Sequence, residues 1–175
     1  MIDLNSTSVR WTITLNRPDK ANAINMEMLI RLNEILDEAK QQLKLRSLII
    51  TGNGPVFSAG ADLNAVKLNN ELTTTIHWKT LSDKIAELPC LTIAALNGTL
   101  AGGAFGMALA CDIRLATTET NFFYPVLKNN LLPQPNDIER LVNLAGLSTA
   151  KLILLAGQKL SAKKALDRGC LLYTS

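Results

Sequence analysis

Two glycine-rich turns are the places in this chain where chemistry could be done without reactive side chains. The first is Phe57-Ser-Ala-Gly-Ala-Asp-Leu63 and the second is Gly102-Gly-Ala104. Residues this small let backbone N–H groups come close to a ligand. The second turn opens a helix, whose first N–H groups lack intrahelical partners and carry about half a positive charge. Two such turns converging on one point would form an anion site or an oxyanion hole. Tight strand–helix packing calls for the same small residues, and spacing alone leaves both readings open. Neither turn is a dinucleotide fingerprint, since Gly103 and Gly106 supply only part of G-x-G-x-x-G, and no phosphate-loop motif is present. Ser58 sits in Phe-Ser-Ala-Gly rather than G-x-S-x-G, so a nucleophile elbow is unsupported.

The turns need elements to hold them. Val9, Trp11, Ile13 and Leu15 alternate with polar residues, as in a half-buried strand. Asn25 caps a predicted amphipathic helix whose apolar positions run Met28, Leu29, Leu32, Ile35, Leu36, Ala39 and Leu43. Short apolar runs at Ser47–Thr51, Leu91–Leu96 and Ile113–Ala116 read as buried strands. Helices are predicted over about 71–88, from Gly102 to Cys111, and over about 137–144, 149–156 and 162–168. Strands alternating with helices predict an α/β domain with a largely parallel core.

Composition narrows the classes. The 175 residues suit one domain with a real core, and 18 Lys+Arg against 15 Asp+Glu leave a net charge of +3. So small and dispersed a charge argues against a nucleic-acid partner. Leu100–Cys111 is too short and too rich in glycine to span a bilayer, so no membrane partner is expected. The first residues carry no basic-then-apolar leader, and Cys90, Cys111 and Cys170 have no metal-ligand spacing. A cytoplasmic location, no metal and no cofactor are the expectations.

Four segments, in order and in register, resemble the enoyl-CoA hydratase/isomerase (crotonase) family. They are Leu15-Asn-Arg-Pro-Asp-Lys-Ala-Asn-Ala23, Phe57–Leu63, Ala95-Leu-Asn-Gly98 with Ala101-Gly-Gly103, and Cys111-Asp-Ile-Arg-Leu-Ala116. Gly146–Gly157 also fits, and the likeness runs from about residue 9 to Gly169. The resemblance implies a crotonase fold of repeated ββα units. It implies an enzyme that binds an acyl-CoA thioester and stabilises an enolate-like oxyanion with the backbone N–H groups of Ala61 and Gly103. Lys20, Ala21, Ala23, Ala59 and Asp62 map to positions that hold the CoA portion; Asp62 could equally cap the short helix after it. Coenzyme A then belongs to the substrate, and association as a trimer or hexamer is implied for the full-length protein.

The departures from the family bear on mechanism. Its hydratases place one glutamate three residues after the oxyanion-hole glycine, which is Gly106 here, and another after Phe-x-x-Pro, which is Val126 here. The carboxylate that some isomerases and dehalogenases carry further on maps to Gln134, which cannot act as a base at neutral pH. Asp137 is the nearest acid, readable as a helix N-cap or as an acid/base group. His77, the single His, is readable as a surface residue or as the counterpart of a dehalogenase His, and Tyr124 reads as core with a bonded hydroxyl. Two functions stay open: an isomerase- or hydratase-like acyl-CoA enzyme, and an acyl-CoA-binding relative without turnover that acts in regulation or assembly.

The end of the chain reads differently. Ser161–Gly169 predicts an N-capped helix closed by glycine, after which a strand is expected. Residues 170–175, Cys-Leu-Leu-Tyr-Thr-Ser, match instead the translation of a transposase-type sequencing adapter. The expectation is a core domain over 1–169, a non-native tail over 170–175, and a missing C-terminal helical segment.

Overall fold

The computed structural model describes residues 1–68, 71–170 and 173–174. Ten strands form two sheets. The larger holds β1 (Ile2–Ser6), β2 (Arg10–Leu15), β3 (Ser47–Gly52), β5 (Leu91–Leu96), β7 (Ile113–Ala116) and β10 (Tyr173–Thr174), adjacent in that order. The β1–β2 pair is antiparallel and every later pair is parallel. The smaller sheet holds β4 (Val56–Ser58), β6 (Thr99–Ala101), β8 (Asn121–Phe123) and β9 (Leu160–Ser161), of which only the β8–β9 pair is antiparallel.

The chain alternates between the sheets. A long strand of the first sheet is followed by a short strand of the second and then by helix, three times over. The first pass ends in α2 (Leu63–Leu68), α3 (Glu71–Thr74) and α4 (His77–Ala86), the second in α5 (Phe105–Ala110), and the third in α6 (Pro135–Leu154). Before them, α1 (Met26–Lys40) follows β2, and α7 (Ala162–Asp167) follows β9. The expected ββα repeat is therefore the architecture of the molecule. Its purpose is visible in register: β4, β6 and β8 lie side by side, so the turns that follow β4 and β6 are neighbours.

Local sequence accounts for most element ends. The Asn25 side chain accepts a hydrogen bond from the Met28 N–H, as an N-cap should. The face Met28, Leu29, Leu32, Ile35, Leu36 and Ala39 is buried, but α1 stops at Lys40, and Leu43 is exposed rather than part of that face. The helix predicted over 71–88 is two helices, interrupted at Thr75 and Ile76. The two predicted over 137–156 are joined as α6 across a kink at Gly146, whose φ of 80° no helix holds. Ser161 caps α7 through the Lys164 N–H. Arg114 is buried and donates to the carbonyls of Ala108 and Cys111 at the end of α5, and to that of Cys170. Among the described residues no helix is long and apolar enough to cross a membrane. Of the tail, Leu171, Leu172 and Ser175 lie outside the described residues; Cys170 is buried, with its N–H on the Ala165 carbonyl.

One buried polar side chain ties the loop before α1 to the sheets. Asn22 has no exposed surface and a left-handed φ of 52°. Its Oδ1 accepts from the Arg17 N–H, and its Nδ2 donates to the carbonyls of Asn53 and Val56 at 2.9 and 2.7 Å. Its own carbonyl accepts from the Ser58 hydroxyl. Asn22→Ala would strand these groups without water and keep the left-handed backbone. We expect it to cost about 2–4 kcal/mol, read as a lower urea midpoint; an unchanged midpoint would mean that the loop holds its shape by packing alone.

Candidate active site

The first glycine-rich turn leaves β4 and is held by backbone pairing with the loop before α1. The Ile24 N–H donates to the Gly60 carbonyl, and the Asp62 N–H donates to the Ile24 carbonyl. These bonds use the residues on either side of Ala61. The Ala61 N–H is thereby turned to the opposite edge. The Ser58 hydroxyl, bonded to the Asn22 carbonyl and accepting from the Gly60 N–H, is fully buried and structural. Asp62 caps α2 through the N–H groups of Asn64 and Ala65, and pairs with Arg17 at 2.6 Å. The Arg17 guanidinium beside it holds its carboxyl below the usual range.

The second turn leaves β6. Gly102, with a φ of 54°, begins a short 3-10 turn that runs directly into α5. Gly103 is the second residue of that turn, ahead of the first intrahelical bond, so its N–H has no partner within the helix. The two turns touch through backbone. A Cβ built on Gly60 would lie 2.7 Å from the Ala101 carbonyl oxygen and 2.9 Å from the Gly103 nitrogen. Gly60 also has a φ of 88°. Only glycine meets both demands.

Ala61 and Gly103 line one cavity of about 800 Å³. Its walls are mostly apolar: Leu63, Trp78, Phe123, Pro125, Val126, Leu131 and Leu132. The Trp78 ring lies over Gly103, and its indole N–H donates to the Leu72 carbonyl. An apolar cavity is a setting in which backbone N–H groups can stabilise an oxygen that gains negative charge. Ala59 also lines this cavity, whereas Lys20, Ala21, Ala23 and Asp62 are not among its lining residues. Lys20 is exposed, and the Ala59 N–H bonds the Ala21 carbonyl, so the loop lies against the cavity's rim. His77 does not line the cavity, and Gln134 does. Among the described residues no three His, Cys, Asp or Glu cluster as a metal site would require.

Asp137 is not an N-cap. Gln134 occupies that position, with Pro135 beginning α6 and Asp137 third in the helix. Its carboxyl is buried, with Oδ2 accepting from the Tyr124 hydroxyl at 2.7 Å and Oδ1 unpartnered. Burial pushes its pKa up to about 7, against the pull of the Tyr124 bond and the Arg140 charge. A Cβ on Gly106 would lie 2.7 Å from Asp137 Oδ1. The Asp137 carboxyl on α6 thus lies against the bare backbone of Gly106 on α5. Sequence reading noted the vacancy at Gly106 and the acid at Asp137 without joining them. It also placed Tyr124 in the core; the residue is buried and bonded as expected, but it lines the cavity as well.

The enoyl-CoA hydratase/isomerase family model matches residues 6–172. The chain belongs to this family. YngF of Bacillus subtilis (strain 168), named as an enoyl-CoA hydratase/isomerase, is 36% identical over 161 residues, covering 90% of this chain and 62% of that relative. The 1,2-epoxyphenylacetyl-CoA isomerase of Escherichia coli (strain K12) is 33% identical over 165 residues, covering 90% of this chain and 63% of its own length. The chain therefore spans less than two thirds of these curated relatives. An enoyl-CoA hydratase crystal structure from Bacillus anthracis superposes with a TM-score of 0.91 at 28% identity, over 99% of this chain and 69% of that one. The fold is that of the crotonases.

Two outcomes are expected. Gly60→Ala adds a strained backbone and a clash with the second turn, and should cost about 2–4 kcal/mol while driving the turns apart; urea melts would show it, and a silent substitution would mean that the turns are not in contact. Asp137 gives a pH signature. Its folded pKa, about 7, lies above the unfolded value of about 3.9. The folded state therefore holds the proton more tightly, and stability falls as pH rises from about 4 to about 7, by up to about 4 kcal/mol. Asp137→Asn should remove that decline, so urea midpoints of the two proteins should diverge between pH 5 and pH 8; parallel midpoints would show the carboxyl to be ionised throughout.

Proposed function

We propose that the cavity receives an acyl-CoA thioester whose carbonyl oxygen lies between the N–H groups of Ala61 and Gly103. There the protein stabilises the enolate-like oxyanion on the way to double-bond isomerisation or hydration. The observation that supports this reading is the backbone contact of Gly60 with Gly103, which brings the two glycine-rich turns together beside an apolar cavity that Ala61 and Gly103 both line. Charge moves onto the thioester oxygen as a neighbouring C–H bond breaks, and preorganised donors oppose no other interaction at that moment. Each is worth about 3 kcal/mol of barrier. The CoA portion would lie along Lys20, Ala21, Ala23, Ala59 and Asp62, met mostly by backbone, with the exposed Lys20 ammonium free to meet a phosphate. Coenzyme A enters as part of the substrate, and no separate cofactor is invoked. Asp137 is the proposed acid/base group. In the longer protein we propose trimers or hexamers.

A second reading has its own support. Among the described residues, those that line the cavity include no Asp, Glu or His, as a binding protein without turnover would have it. The two readings part on a measurement. Crotonyl-CoA labelled with carbon-13 at the thioester carbonyl should bind the 175-residue chain and show a downfield carbonyl shift. Gly60→Ala should lose the shift. Turnover of unsaturated thioesters would then decide between enzyme and binding protein. Absence of binding at millimolar thioester would overturn both, and binding with an unshifted carbonyl would overturn the enolate reading alone.

A further inference from the structure

Asp137 is the buried carboxylate nearest the chemistry, yet it does not line the cavity. Tyr124 does, and among the described residues that line the cavity it is the one ionisable side chain. Its ring is held in place from the second turn: Phe105, two residues after Gly103, stacks on it with centroids 4.9 Å apart, and Phe122 meets Phe105 edge-on. Its hydroxyl donates to Asp137 Oδ2 at 2.7 Å and is approached by the Gln134 N–H at 3.4 Å. A phenol that gives its proton to a carboxylate keeps lone-pair density with which to accept another proton.

We propose that Tyr124 is the catalytic residue that touches substrate carbon-bound hydrogen, and that Asp137 acts through it as the proton reservoir. The proposal rests on the thioester reading above and deepens it. The C–H bond next to the thioester carbonyl breaks; its proton goes to Tyr124 Oη as the Tyr124 proton passes to Asp137 Oδ2. The electron pair enters the enolate, whose negative oxygen is held by Ala61 and Gly103. In the return step Asp137 gives its proton back to Tyr124, and Tyr124 delivers one to the γ-carbon. The double bond moves from the β,γ to the α,β position. Nothing is oxidised, no water is consumed, and the relay ends as it began. One relay that both takes and returns a proton favours isomerisation over hydration, which needs a second group to position water.

The relay accepts a proton only while Asp137 is ionised. The groups that face Asp137 are Tyr124 from the segment after β8, Arg140 on its own helix, and the backbone of Gly106 on α5. Asp83 on α4 reaches it only indirectly, through Arg140 and Asn136. With the Asp137 pKa at about 7, activity should fall as pH drops below neutrality.

The test is hydrogen exchange. A β,γ-unsaturated acyl-CoA is incubated with the chain in heavy water, and deuterium at the α- and γ-carbons is followed by NMR from pH 5 to pH 9, beside thioester binding. The expected result is exchange in the wild type with a midpoint near pH 7. Tyr124→Phe should lose 10²–10⁴-fold with binding intact. Asp137→Asn should lose the midpoint as well as rate. Wild type that binds but does not exchange overturns the relay and leaves the oxyanion reading standing, whereas failure to bind overturns both. Exchange in Tyr124→Phe within a few-fold of wild type overturns it. If that variant does not fold, a wild-type profile flat from pH 5 to pH 9 overturns it.

Discussion

The contact between Gly60 and Gly103 is the constraint around which the rest of the molecule is arranged. Two peptide backbones approach more closely than any side chain would permit. Neither turn can hold that approach alone. The first is fastened from behind by the Ile24 bridge and by the Ser58 bond to Asn22; the second is carried in by β6 and continued by α5. The small sheet lays β4 and β6 in parallel, so the turns leave it on the same side. Trp78 packs over Gly103 and closes one side of the space. Here the fold brings main chain against main chain, and that explains why residues so small stand in both turns.

Electrostatics follows the same geometry. Arg114 places a buried cation at the far end of α5, against carbonyls that would otherwise leave that end negative. The near end, at Gly103, keeps its positive character toward the cavity. Arg17 does comparable work for the loop before α1, where its guanidinium joins Asp62 to the Ala23 carbonyl. Charge thus serves to hold backbone in place, and none of the described residues that line the cavity is a carboxylate.

Much of this was legible in the sequence, and the exceptions have physical reasons. The turns stood out because glycine and alanine cluster only where backbone must come close, and the helical spacing from Met28 to Ala39 marked a buried face. The three-residue strands β4, β6 and β8 are too short to show alternation, yet they form the small sheet on which the site depends. Leu43 fitted the helical period but falls beyond the end of α1, because periodicity does not say where a helix stops. Gly106 read as a missing group. The residue that fills its place comes from another helix, and no local pattern encodes that meeting. Tyr124 was correctly placed in a bonded, apolar setting, but nothing in its neighbours said that the far side of the ring borders a cavity.

The close approach of Gly106 and Asp137 also constrains which side chains the two positions can carry. The two positions compete for one volume: a carboxylate on α5 needs Asp137 to be gone, and Asp137 needs α5 bare. A lineage that altered one position first would meet either two acids crowded in a dry space or an empty pocket in the core. Both arrangements are poor, so substitutions at the two positions are energetically coupled. The side chain that residue 106 can carry is therefore set by residue 137, because both would draw on the same buried volume.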